Sequence, residues 1–250
     1  MIDIHSHIIP LVDDGSKNFM VTEEMLKAAS EAGFKEIFAT PHYFDKKSIC
    51  REDMLVHFKE LKDFANSYGI NLLLGNEVFI SHDLPKLVED KVVSCMNDSR
   101  YLLFELPRNN DINYLEDILF ELSSMDIVPI LAHPERYRFV IENPESLLEI
   151  AKYGVLFQGN AGSILGDYGE IVKKTAITLL KMNVYQFLAS DAHSFDRYQA
   201  FNLSKKYVDK FAGEGVFEIL TKVNPAKVRD NLEVDIDIHK TKKSLFFWRK

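Results

Sequence analysis

Cysteine is almost missing from this chain. Two residues, Cys50 and Cys95, occur in 250, too few for a disulfide framework, and a reducing cytoplasm is the compartment they suggest. No apolar run approaches the ~18 residues that a membrane span requires. The opening MIDIHSH lacks the basic segment and apolar stretch of a signal peptide. Glycine and proline are sparse, 11 and 8 residues, and nowhere cluster into a linker; there is no repeat or low-complexity tract. Basic charge is in deficit, with 30 Lys and Arg against 38 Asp and Glu, for a net −8. His239 to Lys250 holds five of the basic residues and no acidic one, which leaves −13 on residues 1–238. So acidic a body argues against nucleic acid as a partner, because such binding rests on neutralised phosphates.

What is present reads as one globular unit. Apolar residues make up 46% and charged residues 27%, which excludes a disordered chain or a coiled coil. α/β barrels commonly reach ~250 residues as one domain. Short β-rich runs alternate with longer helical patterns. Strands are expected at Ile2–His5, Glu36–Thr40, Asn71–Phe79, Tyr101–Leu106, Ile127–Ala132, Val155–Gln158 and Tyr185–Ala189. Helices are expected at Glu23–Ala32, with Thr22 as N-cap and Gly33 as stop, and at Arg51–Tyr68, Tyr114–Ser123, Pro144–Lys152 and Gly169–Met182. Such alternation implies a parallel sheet, open or closed.

The polar residues decide between those forms. His5 and His7 follow the first strand, His42 the second, and His133 the fifth; Glu77 and Glu105 lie near the ends of the third and fourth; Asn160 follows the sixth, and Asp191 and His193 the seventh. In a closed barrel all parallel strand ends converge on one rim, whereas an open sheet concentrates its site at one switch point. A barrel is therefore expected. His5-Ser-His7 places two imidazoles on one side of an extended segment, and Asp191-Ala-His193 repeats the spacing. Asp13-Asp14-Gly15 adds acid after the first pair. Imidazole and carboxylate without thiolate suit Mn, Fe or Zn rather than a structural cysteine–zinc site.

DIHSHIIPLVDDG at 3–15, TPH at 40–42, GNE at 75–77, NDSRYLLFE at 97–105, AHPERY at 132–137 and ASDAH at 189–193 resemble the PHP superfamily. Within it they are most similar to the bacterial capsule-type, manganese-dependent protein-tyrosine phosphatases. The resemblance implies a distorted, TIM-like (β/α)7 barrel over residues 1–238 with a basic, aromatic tail at 239–250. It implies three divalent ions, Mn2+ with Fe or Zn as alternatives, and attack on phosphotyrosine by metal-bound hydroxide. By position, one ion takes His5, His7, Glu77 and Asp191; Glu77 bridges to a second, held also by Glu105 and His133; a third takes Asp14, His42 and His193. Asp13 could serve in place of Asp14. Many relatives carry histidine at the positions of Asp14 and Glu105, so carboxylates there favour the tyrosine-phosphatase group. Three divalent ions on five neutral imidazoles and four carboxylates leave about +2 in an acidic shell, which focuses anions. Arg136 and Arg197 are the implied phosphate clamps. The implied substrate is a membrane-associated bacterial tyrosine kinase controlling polysaccharide export.

Cys95 and Arg100 are separated by four intervening residues, none a glycine, where a thiolate phosphatase loop has five. His57, within a helical pattern, and His82, in a loop beyond Glu77, are expected to be solvated rather than ligating, and His239 stands in the basic tail without acidic companions. Gly159–Ser163 is a weak phosphate-loop signal. Tyr137 and Phe139 are either core or the walls of a slot for a phenyl ring. The rival readings are a histidinol-phosphatase-like phosphomonoesterase and a non-catalytic, metal-bearing regulatory domain. The tail KTKKSLFFWRK sets four consecutive apolar residues between basic clusters. That pattern suits peripheral contact with an anionic membrane and equally suits docking on the protein's own barrel.

Overall fold

Among the described residues nine short strands are rich in Ile, Leu and Phe: β1 (Ile2–Ser6), β2 (Glu36–Ala39), β3 (His42–Tyr43), β4 (Asn71–Leu74), β5 (Glu77–Phe79), β6 (Tyr101–Glu105), β7 (Val128–Ala132), β8 (Leu156–Asn160) and β9 (Phe187–Ala189). The structure, a computed structural model, describes residues 1–44, 51–107 and 114–235. Cys50 and the 239–250 tail lie outside the described residues. β1 and β8 are buried along their whole length, as expected of parallel strands covered on both faces.

All pairings are parallel. One set runs β1-β2-β4 and the other β3-β5-β6-β7-β8-β9. The two sets are one ring. β2 and β3 are a single stave interrupted at Thr40 and Pro41, and β4 and β5 another interrupted at Gly75 and Asn76. Across the interruptions Gly75 N still donates to Ala39 O (2.9 Å) and Glu77 N to Pro41 O (3.1 Å). Proline has no N–H to continue the ladder. The ring closes between β1 and β9, where Asp191 N donates to His5 O and His7 N to Ala192 O, each 3.0 Å, beside the Ser6–Ala192 bridge. At this seam the buried Asp3 carboxylate accepts from Ser190 N and Oγ. The result is a seven-staved barrel.

Ile4, Phe38, Leu73, Leu103, Ile130 and Phe187 fill the barrel interior. A second, larger apolar layer lies between the staves and the helices. The first helix differs from expectation at its start. It spans Phe19–Ala32 and is capped by Asn18, whose side chain accepts from Val21 N. Thr22 is buried instead, and its hydroxyl donates to Ile8 O (2.9 Å). Gly33 ends the helix in the left-handed region, φ 93°, as expected of a glycine stop.

Candidate metal centre

The strand ends converge as the barrel requires. His5 and His7 sit on and after β1, two residues apart, and their Nε2 atoms approach to 3.1 Å. Both are fixed from behind. His5 Nδ1 donates to Gln158 Oε1 on β8 (2.8 Å), and His7 Nδ1 donates to Asp13 Oδ2 (2.7 Å). Each hydrogen bond sets the tautomer and leaves Nε2 free as a donor atom. Gly15 permits the Asp13 loop to close, because a Cβ there would lie 2.3 Å from His7 Cβ and from His7 O.

Glu77 is the hub. It is wholly buried, and its Oε2 lies 3.1 Å from His5 Nε2, 3.3 Å from His7 Nε2 and 3.0 Å from His42 Nδ1. Its other oxygen accepts from His133 Nε2 at 2.9 Å. Glu77 Oε2 and His42 Nδ1 are nonetheless buried without a hydrogen-bond partner among the described residues. Glu77 Oε2 and His42 Nδ1, 3.0 Å apart and without a hydrogen bond, have the spacing of atoms that share an ion at about 2.1 Å. The residues present therefore fit a metal.

Three overlapping donor sets form: His5, His7 and Glu77; His42, Glu77 and Glu105; and His7, Asp14, His42 and His193. His42 thus joins Glu77 and Glu105, with His133 Nε2 at 3.9 Å from Glu105 Oε2. Asp191 Oδ1 faces the first set, 3.5 Å from His5 Nε2 and 3.4 Å from His7 Nε2. His193 donates from Nδ1 to Asp191 O and turns Nε2 to Asp14 Oδ1 at 3.2 Å. The aspartate ambiguity resolves geometrically: Asp14 faces the open side of the cluster, and Asp13 stands behind His7.

His133 and Asp191 adopt left-handed backbone, φ 37° and 49°, which costs about 1–3 kcal/mol for a non-glycine residue. Neighbouring staves hold them there: His133 N donates to Gln158 O (2.8 Å) and Asp191 N to His5 O (3.0 Å).

The electrostatics follow from burial and from crowded charge. Burial opposes the imidazolium of His5, yet the Glu77 and Asp191 carboxylates outweigh it and lift its pKa to about 9. His7 is raised well above the usual value for the same kind of reason, through Asp13, Asp191 and Glu77. Burial, then the charge of Glu77, pushes Glu105 up to about 7. Burial also lowers His133 and His193, which keeps their imidazoles neutral.

Arg136 turns into the cavity because its neighbour anchors the loop. Glu135 is fully buried and accepts from Asn160 N (3.0 Å) and Tyr185 OH (2.9 Å). Arg136 Nη1 donates to Asp191 Oδ2 (3.1 Å), an oxygen that also accepts from Asn160 Nδ2 (2.7 Å). Arg197 does not line the cavity. It pairs with Asp167, and its Cζ lies 5.0 Å from the ring of Tyr168, whose centroid is 4.5 Å from Arg136 Cζ. Tyr168 and Gln158 escaped the sequence reading, since a phenol and an amide carry no spacing signature. Tyr137 is core: it is fully buried, and its hydroxyl donates to Ala132 O and accepts from Leu106 N. Phe139 is half-buried against that core. Cys95 packs at the core's edge, and burial pushes its thiol up to about 11. His57 and His82 join no donor cluster among the described residues. Asn160 caps the short helix Ala161–Leu165, so the Gly159–Ser163 segment serves to hold Asp191.

A seven-staved parallel barrel with imidazole and carboxylate donors gathered at its C-terminal rim defines a TIM-like, metal-dependent hydrolase. The chain belongs to the capsular polysaccharide synthesis, CpsB/CapC family, whose profile matches residues 1–230. It is 36% identical to CapC of Staphylococcus aureus over 84% of this chain and 83% of that protein. It is 33% identical to the tyrosine-protein phosphatase YwqE of Bacillus subtilis over 78% of each. A chain from the crystal structures of YwqE from Bacillus subtilis and CpsB from Streptococcus pneumoniae, described as unique metal-dependent tyrosine phosphatases, matches with a TM-score of 0.87 at 29% identity, over 97% of this chain and 100% of that chain. The histidinol phosphate phosphatase of Lactococcus lactis shares the fold, with a TM-score of 0.59 at 14% identity over 86% and 95% of the two chains.

Proposed function

We propose that this chain is a metal-dependent protein tyrosine phosphatase, with residues 1–238 as the catalytic unit. His5, His7, Asp14, His42, Glu77, Glu105, His133, Asp191 and His193 hold three divalent ions. Manganese suits a donor set of imidazole and carboxylate, and iron and zinc are the alternatives that metal analysis separates. The observation that carries this reading is the approach of His5, His7 and His42 nitrogens to Glu77 Oε2 at 3.1, 3.3 and 3.0 Å, beside an arginine that also lines the cavity.

When bound, the ions supply acidified water and positive charge for the phosphoryl oxygens. The chain's own groups do the rest. Arg136, held by Asp191 and stacked on Tyr168, offers a planar donor fork to the phosphoryl group. Arg197, outside the cavity and paired with Asp167, stacks on the same ring and buttresses Tyr168. Gln158 and Asp13 keep His5 and His7 in the tautomer that points Nε2 inward. The substrate is phosphotyrosine in protein, which the relatives' names support, and the family description supports a place in capsular polysaccharide synthesis; the bearer we propose is a membrane-associated bacterial tyrosine kinase that controls polysaccharide export. The scarcity of cysteine supports a cytoplasmic location, and the basic, aromatic 239–250 tail supports peripheral membrane contact.

The test is metal analysis paired with turnover of a phosphotyrosine peptide and of histidinol phosphate. Bound manganese with preference for the peptide is expected. Preference for histidinol phosphate, or bound metal without turnover of either substrate, would overturn the reading.

A further inference from the structure

The cavity over the donor cluster, about 290 Å³, has two unlike walls. Arg136 and Asp191 supply the polar side, which Asn160 and Tyr168 back. Phe44, Phe79 and Leu106 supply the other. Phe44 and Leu106 directly follow β3 and β6, and Phe79 ends β5; β3, β5 and β6 are neighbours in the sheet.

Register explains the placement. β3 and β5 pair with His42 opposite Glu77. Phe44 stands two residues beyond His42, and Phe79 two beyond Glu77. Side chains two apart on a strand share a face, and two residues advance about 7 Å. Each phenylalanine therefore lies one layer above a donor residue, on the same side of its stave. The rings meet: Phe44 is 5.8 Å from Phe79 and 4.6 Å from the His42 imidazole, centroid to centroid. The cavity thus grades from a buried floor at Glu77, 0% exposed, to an aromatic mouth at Phe44, 51% exposed.

We propose that Phe44 and Phe79 form an aryl-recognition wall that selects flat aromatic phosphate esters. The inference rests on the functional reading above. With the phosphoryl group between the donor floor and Arg136, the ester's phenyl ring rises into the layer of these two rings and packs against them. A phosphoserine ester carries no ring to fill that layer and leaves the phenylalanine faces wet. Discrimination then resides in an aromatic contact at the mouth, in addition to the metal chemistry at the floor.

The experiment uses the full-length, manganese-loaded protein and the variants Phe44→Leu, Phe79→Leu and their combination, which keep apolar bulk and remove the flat ring. Turnover of a phosphotyrosine peptide is inhibited with inorganic phosphate and with phenylphosphonate, and bound manganese is counted. In the double variant the inhibition constant for phenylphosphonate should rise about tenfold relative to that for phosphate, the scale of one aromatic contact. The peptide's KM should rise with it at unchanged manganese content. An unchanged ratio overturns the proposal. Equal weakening of both inhibitors with loss of manganese also overturns it, and makes the phenylalanines supports of the donor layer. A wild-type protein that binds manganese and leaves the peptide intact refutes the functional reading and this inference together. Normal turnover with an unaltered ratio refutes the inference alone.

Discussion

Asp13 and Asp14 are neighbours in sequence and opposites in exposure. The Asp13 side chain is 5% exposed and holds His7 Nδ1, while that of Asp14 is 71% exposed and faces His42 and His193. Asp13 also accepts from Gly15 N and His42 N, and those bonds hold its pKa down to about 2 against its burial, chiefly through His7. Asp13→Asn should lower manganese affinity by about 10–100-fold, the range typical of partners that orient a metal-bound histidine, as read by calorimetric titration. An affinity equal to wild type would remove Asp13 from any orienting role. The sequence marked both aspartates, but only the turn closed by Gly15 tells which one faces inward. The residues gathered in the cluster were legible because histidine and acid recur at successive strand ends and stand in the motifs that carry the family resemblance. Gln158 and Tyr168 were not, because nothing in their type or spacing marks them. Phe44 and Phe79 did leave a trace, His-x-Phe and Glu-x-Phe, which period-two reading could have caught. Cys95, with its thiol pushed up to about 11, is almost wholly protonated at neutral pH and a poor nucleophile. Cys95→Ser should accordingly retain wild-type kcat, and loss of turnover in a folded Cys95→Ser protein would reverse that assignment.

At the scale of elements, the seven staves were legible as apolar runs, and their parallel direction followed from the helices between them. The interruptions in the second and third staves were not. They arise at Pro41, which cannot donate, and at Gly75, where a Cβ would lie 2.6 Å from Met96 Sδ. Neither breaks the apolar pattern, so the 71–79 run read as one strand. The first helix began earlier than expected because Phe19 and Met20, 43% and 71% exposed, face away from the core and blur the amphipathic pattern. The loop after β1 is the element on which the site most depends, since Gly15 lies against His7 with no room for a side chain. Gly15→Ala should cost about 1–3 kcal/mol, the usual range for forcing extra atoms into a packed site. It should also lower bound metal by displacing Asp13 and Asp14 together. Thermal unfolding and metal content check this, and an unchanged melting temperature with full metal content would mean that the loop adapts freely.

Over the whole molecule, protons and metal compete for one cluster. His5 titrates at about 9 and His7 well above its usual value in the metal-free protein, so both carry protons at neutral pH that an ion must displace. Manganese affinity should therefore strengthen as pH rises from about 6 to 9, by about tenfold per unit for each proton displaced, with proton release on binding. The sign for the metal-free fold is the reverse. A raised histidine pKa contributes stability that is fully present below about 6.5 and is lost as pH rises through about 9. Calorimetry in buffers of different ionisation heat reads the released protons, and a pH-independent affinity would contradict the proton-laden cluster. The measurement that bears most directly on a metal centre at the barrel's rim compares wild type with Glu77→Ala for bound manganese and phosphotyrosine turnover on the same samples. Glu77 Oε2 meets three imidazoles, so its removal should strip metal from the protein and lower kcat/KM by about a thousandfold or more. A folded Glu77→Ala protein with wild-type metal content and wild-type turnover would contradict it.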